Sequence, residues 1–221
     1  QGRVEEALTI STYLLESNQI AKVYFYYINT LLDDDKTEYA LNYLKQVIEL
    51  IDSESNLACH IEWPQKGYSY LEIADIYIRM SNNKKAQEYI DLAMQEVEYA
   101  EKSGLIEGYI YTGWGDSYKT IINESNKSQF LCNTIKRLLK IEEVDKSKHF
   151  LKEIHTNVYV YIYQKWENPY ANYDPYCTAL FNISWKLYEN DVIGSLKLII
   201  ENTNIDVVEK RKFYTKFFSK M

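Results

Sequence analysis

The chain has 221 residues, of which 46% are apolar, and a formal charge of −7. Only 7 Gly and 3 Pro occur, too little turn chemistry for an all-β fold, and the acidic balance argues against a nucleic-acid platform. Three widely spaced cysteines, Cys59, Cys132 and Cys177, fit buried thiols in a reducing compartment better than a disulfide framework.

The first predicted elements lie at the N-terminus. Gly2 and Ala7, in GRVEEAL, resemble the opening of a second helix whose partner would precede Gln1. The expectation is a chain that begins in mid-repeat, without an initiating Met. A helix pair follows, with Tyr24, Tyr27, Ile28 and Leu31 on its first member and Ala40, Leu44 and Val47 on its second. A connector, WPQKG at 63–67, leads to a second pair. That pair carries Tyr70, Ile73, Ala74 and Tyr77, then Ala86, Ile90 and Ala93, and runs to a helix stop at Gly104. Ala7, Ala40 and Ala86 are 33 and 46 residues apart.

A third pair is expected to open at Tyr111, Trp114, Gly115 and Tyr118, with its second helix at about 127–143. Lys127 then stands where the other pairs have alanine. Beyond 144 the pattern fades into a predicted helix at 146–165, although 158–163 alternates as a strand would. A two-proline loop at 167–175 and three shorter helices at 176–189, 191–201 and 206–219 complete the chain.

The spacing from Tyr70 to Ala93 resembles the tetratricopeptide repeat, an aromatic–x2–aliphatic–small–x2–aromatic helix followed by one with alanine at its close crossing. The resemblance covers roughly residues 2–143 and is clearest in 67–104. It implies an all-α, right-handed helical-hairpin solenoid, with repeats over 1–143 and a helical cap over 144–221. It also implies a cytoplasmic protein- or peptide-binding module.

In that family the first helices of successive repeats line the ligand face. Carried onto this chain, the face comprises Lys22, Phe25 and Asn29, then Tyr68, Leu71, Asp75 and Arg79, then Tyr109, Thr112, Asp116 and Lys119. Aromatic and amide groups suit an extended peptide. Asp75 and Asp116 favour a neutral or basic segment, with no nucleic acid bound directly. The set differs from the versions of the family that grip a terminal carboxylate with converging basic residues.

No catalytic constellation or metal-binding motif is found, and no cofactor is implied. His60, His149 and His155 have no helical i, i+4 partner among themselves. The glycines of GLIEGYIYTGWG lack the lysine and preceding strand of a phosphate loop. Asp33, Asp34 and Asp35 form an acidic run best read as a solvated loop. The C-terminal stretch 206–221 carries five Lys/Arg and two acidic residues among Phe213, Tyr214, Phe217 and Phe218. It reads as a last helix packing its aromatics with lysines snorkelling outward. The other reading is a peripheral membrane-surface helix. Three further readings stay open. They are the sensor half of a peptide-responsive bacterial regulator, a regulatory or docking domain of an enzyme, and a membrane-surface adaptor.

Overall fold

The computed structural model describes residue 6, residues 17–53, 65–103, 116–154, 175–188 and 191–201, and residue 215. The described residues are all-α. The helices are α1 (Ser17–Asp33), α2 (Thr37–Ser53), α3 (Gln65–Arg79), α4 (Asn83–Ser103), α5 (Asp116–Lys140), α6 (Val144–Leu151), α7 (Pro175–Tyr188) and α8 (Val192–Ile200). They fall into two compact units, Gln1–Tyr109 and Ile110–Met221.

The apolar spacing explains the helices. On α2 the fully buried positions are Ala40, Leu44, Val47 and Ile51, steps of four, three and four that trace one helical stripe. On α4 the same stripe recurs 46 residues later as Ala86, Ile90, Ala93 and Val97. Each stripe packs against the preceding helix, α2 on α1 and α4 on α3. Within the first unit, α3 also packs against α1 and α2. The alanines permit close approach at the crossings, and the larger residues one turn on fill the space between the helices.

The turns show why the hairpins are alike. After α1, Asp35 adopts a left-handed conformation, φ 58°. Its N–H donates to Leu32 O and that of Lys36 to Leu31 O, at 3.2 and 2.8 Å. After α3, Ser81 has φ 57°, with Ser81 N–H to Ile78 O and Asn82 N–H to Tyr77 O, both 2.9 Å. This is the paired 5→2 and 6→1 bonding of a Schellman stop, which satisfies carbonyls a helix end leaves orphaned. The residue that ends one helix also starts the next. Lys36 O accepts from Ala40 N and Asn82 O from Ala86 N, both at 3.0 Å.

The second unit repeats this arrangement in an unexpected place. Helix α5 runs unbroken from Asp116 to Lys140, so the helix break expected before 127 does not occur. The turn follows Lys140. Glu142 has φ 69°, its N–H donates to Leu139 O, and Glu143 N–H donates to Leu138 O. Glu143 O accepts from Ser147 N at 3.1 Å. Ser147, not Lys127, therefore stands at the alanine position. It is fully buried, and its hydroxyl donates to Glu143 O at 2.8 Å.

Counted from that turn, Leu131, Thr134, Ile135, Leu138, Ser147, Leu151 and Ile154 occupy the places of Tyr70, Ile73, Ala74, Tyr77, Ala86, Ile90 and Ala93. All seven are buried. Helix α6 stops at Leu151, closed by Lys152 N–H to His149 O, and so is shorter than the helix expected over 146–165. Helix α5, expected among the repeats, packs with α6 and α7, expected in the cap.

A last hairpin joins α7 to α8. Asp191 caps α8, accepting Gly194 N–H at 2.8 Å. A side chain at Gly194 would collide with that carboxylate. Ser195 and Ser184 meet at the crossing, where the Ser195 hydroxyl donates to Ser184 O at 2.7 Å. Helix α7 packs on α6 and α5 as α3 packs on α2 and α1. Each unit thus has the same internal adjacency. The strand-like segment 158–163 and the helix expected at 206–219 lie outside the described residues, apart from helical Thr215.

Candidate functional site

The first unit presents two equivalent stripes on its two neighbouring first helices. On α1 the stripe is Lys22, Tyr26, Asn29 and Asp33. Forty-six residues later on α3 it is Tyr68, Glu72, Asp75 and Arg79. Lys22, Tyr26, Asp33, Glu72 and Arg79 are exposed, while Asn29, Tyr68 and Asp75 are half-buried. Tyr26 is 78% accessible, the most exposed large apolar residue among the described residues.

The stripes are tied at their C-terminal ends. Arg79 donates from Nη1 to Asn29 Oδ1 at 2.6 Å and, at the limit of bonding, to Asn29 O at 3.5 Å. Its Nη2 donates to Asp33 Oδ1 at 2.5 Å. Asn29 Nδ2 in turn donates to Phe25 O at 2.9 Å, which fixes the amide's orientation. The Arg79–Asp33 pair is solvated, so it contributes at most about 1 kcal/mol to stability. It links the C-terminal ends of α3 and α1 at the surface.

Beneath the stripes lies a ladder of tyrosines. Tyr24 and Tyr43 are 6.3 Å apart at 50°, and their equivalents Tyr70 and Tyr89 are 5.9 Å apart at 48°. Tyr27 meets Tyr43 edge-on at 4.9 Å, and Tyr77 stacks on Tyr89 at 5.5 Å. Tyr70 also donates to Asp52 Oδ1 at 2.8 Å, joining α3 to the end of α2. Burial first, and then the Asp52 carboxylate, push the Tyr70 phenol well above its ordinary range. Burial pushes Tyr89 up to about 12, with Tyr77 and Asp52 adding to it. These phenols stay protonated in ordinary buffers and serve as packing groups with a fixed donor.

The residues expected on the ligand face divide into three groups. Lys22, Asn29, Tyr68, Asp75 and Arg79 lie on the two stripes. Phe25 and Leu71 do not offer surface: they are 6% and 0% accessible. They are one apolar position repeated on neighbouring helices, and it is buried in both. Their shared apolar character was the available signal. Tyr26 and Glu72, one residue further round the helix, take the exposed places.

The third group is displaced. Tyr109 and Thr112 lie outside the described residues. Asp116 and Lys119 fall in the first turn of α5, far from the turn at 141–143, and so are not the counterparts of the stripes. The positions matching 68, 72, 75 and 79 are Gln129, Asn133, Lys136 and Lys140. Lys140 is exposed and the other three are half-buried.

Charge separates the units. Residues 1–109 hold 9 Lys/Arg against 19 Asp/Glu, a net −10, while 110–221 hold 16 against 13, a net +3. Among the described residues no three His, Cys, Asp or Glu side chains converge as metal ligands. No helix among them is long and apolar enough to cross a membrane. No protein-family model, curated protein or solved structure matches the chain.

Proposed function

We propose that the chain is a non-catalytic peptide- or protein-binding module built as a tetratricopeptide-like array of right-handed helical hairpins. The observation that carries this reading is the pair of equivalent stripes on α1 and α3, held together by Arg79. Two tandem hairpins with one turn geometry present the same four helical positions side by side, each with side chains suited to an extended segment. Tyr26 and Tyr68 supply rigid contact area at low entropic cost. Lys22, Glu72 and Asp75 supply polar anchors. A net charge of −10 over the unit attracts basic segments, speeds their encounter and disfavours acidic ones.

A randomised peptide library displayed against the full chain tests this. Selected peptides should be neutral to basic. Their affinity should fall roughly tenfold in a Tyr26→Ala, Asp75→Ala double variant, equivalent to about 1.4 kcal/mol. Selected peptides that bind the double variant and the parent equally well would refute the assignment of the face.

A further inference from the structure

Arg79 is a guanidinium held by another helix. Three oxygens converge on it from α1, namely Asn29 O, Asn29 Oδ1 and Asp33 Oδ1. Two of its nitrogens engage them as a fork, a geometry an ammonium cannot reproduce. The cluster sits at the C-terminal end of α1, where the helix dipole favours a cation. Asn29 cannot swing freely, because its Nδ2 is committed to Phe25 O, so its Oδ1 stays aimed outward. The occupant, by contrast, is on the surface. The side chains of Arg79 and Asp33 are 38% and 70% accessible, so Arg79 can leave without opening the core. One turn earlier stands Tyr26, whose exposed ring offers a face to an arginine stem or guanidinium.

We infer that Asn29 and Asp33 form a guanidinium subsite of the ligand face, which Arg79 fills in the free protein and an arginine of the bound segment fills in the complex. This rests on the peptide-binding reading and sharpens it: the preferred segment carries arginine, and Arg79 is a built-in competitor that sets the affinity threshold. Lysine, with a compact point charge, fits the fork poorly.

The test uses the full chain and two small probes, N-acetylarginine methylamide and N-acetyllysine methylamide, followed through the Asn29 side-chain amide signals by NMR. The arginine probe should shift them saturably and bind several-fold more tightly than the lysine probe. Arg79→Ala should strengthen arginine-probe binding several-fold, and Asp33→Asn should weaken it by a similar factor. Equal affinity for the two probes, weaker binding in Arg79→Ala, or no saturable shift in that variant would overturn the subsite. So would loss of the folded amide spectrum in Arg79→Ala, which would make Arg79 a structural tie. Library peptides that bind the stripes without enrichment in arginine would sink the subsite and leave the groove standing. An arginine probe that binds at Asn29 while no peptide is selected would sink the groove alone.

Discussion

The two units are built on one hairpin but written in different residues. In the first, α1–α2 and α3–α4 repeat at 46 residues with Tyr24–Tyr43 matched by Tyr70–Tyr89. In the second, the same positions of α5–α6 hold Leu131 and Phe150, and serine replaces alanine at the crossing. Both nonetheless stop the first helix with a left-handed, non-glycine residue and bury the residue four after the helix start. The comparison teaches that volume and backbone bonding define this hairpin. A serine whose hydroxyl is returned to its own helix counts as small and satisfied.

The largest expected effects test whether the second unit has a core of the same kind. Phe130→Ala should destabilise by about 3–5 kcal/mol, and Leu44→Ala in the first unit by about 2–5 kcal/mol, read by urea unfolding. A small loss at Phe130 beside a large one at Leu44 would break the equivalence. Next comes the crossing position. Ser147→Leu should cost about 1–3 kcal/mol, as should Ala86→Leu, whereas Lys127→Leu should cost clearly less. A larger loss at Lys127 would restore the earlier register.

That register shows what could be read from sequence. Tyr70 to Ala93 was legible because its aromatics and alanines fall at the family spacing, and the hairpin at 24–47 followed from Ala40 and Leu44. In the second unit the recognisable residues misled. Trp114, Gly115 and Tyr118 imitate the opening of a first helix, while the hairpin turn lies at 141–143, announced by no glycine or proline. The backbone at Glu142 is left-handed on a residue that seldom adopts it. On α1 and α3 the residues expected to be exposed at 25 and 71 are buried, and the exposed places fall one residue further on. Whether position 25 or 26 faces outward depends on which neighbouring elements pack on the helix, a tertiary fact that a single stripe does not contain.

The turns give the next, smaller contrast. Glu142→Gly should stabilise by about 0.5–1 kcal/mol, because glycine removes the left-handed penalty and returns part of the gain as entropy. Asp35→Gly should gain less, since aspartate tolerates that conformation better. A loss of stability at Glu142 would contradict the shared turn.

The smallest effect at neutral pH is expected at the tyrosine ladder, where Tyr89→Phe should change stability little. It becomes visible in alkali. The folded state holds the Tyr89 proton more tightly than the unfolded chain does. Its contribution is therefore whole below about pH 10 and is lost as the pH rises through about 12. Tyr70 adds a change of the same sign. Tyr89→Phe should flatten the alkaline limb of a stability–pH curve, and an unchanged limb would show that the ladder does not govern it.

The central claim is that α1 and α3 together form one ligand face. Backbone amide shifts of the full chain, mapped by NMR with the tightest library-selected peptide, test it most directly. The account predicts shifts concentrated in residues 22–33 and 68–79, with the outward stripe Glu88, Leu92, Gln95 and Tyr99 of α4 unmoved. Shifts confined to that α4 stripe, or to the second unit, would contradict it.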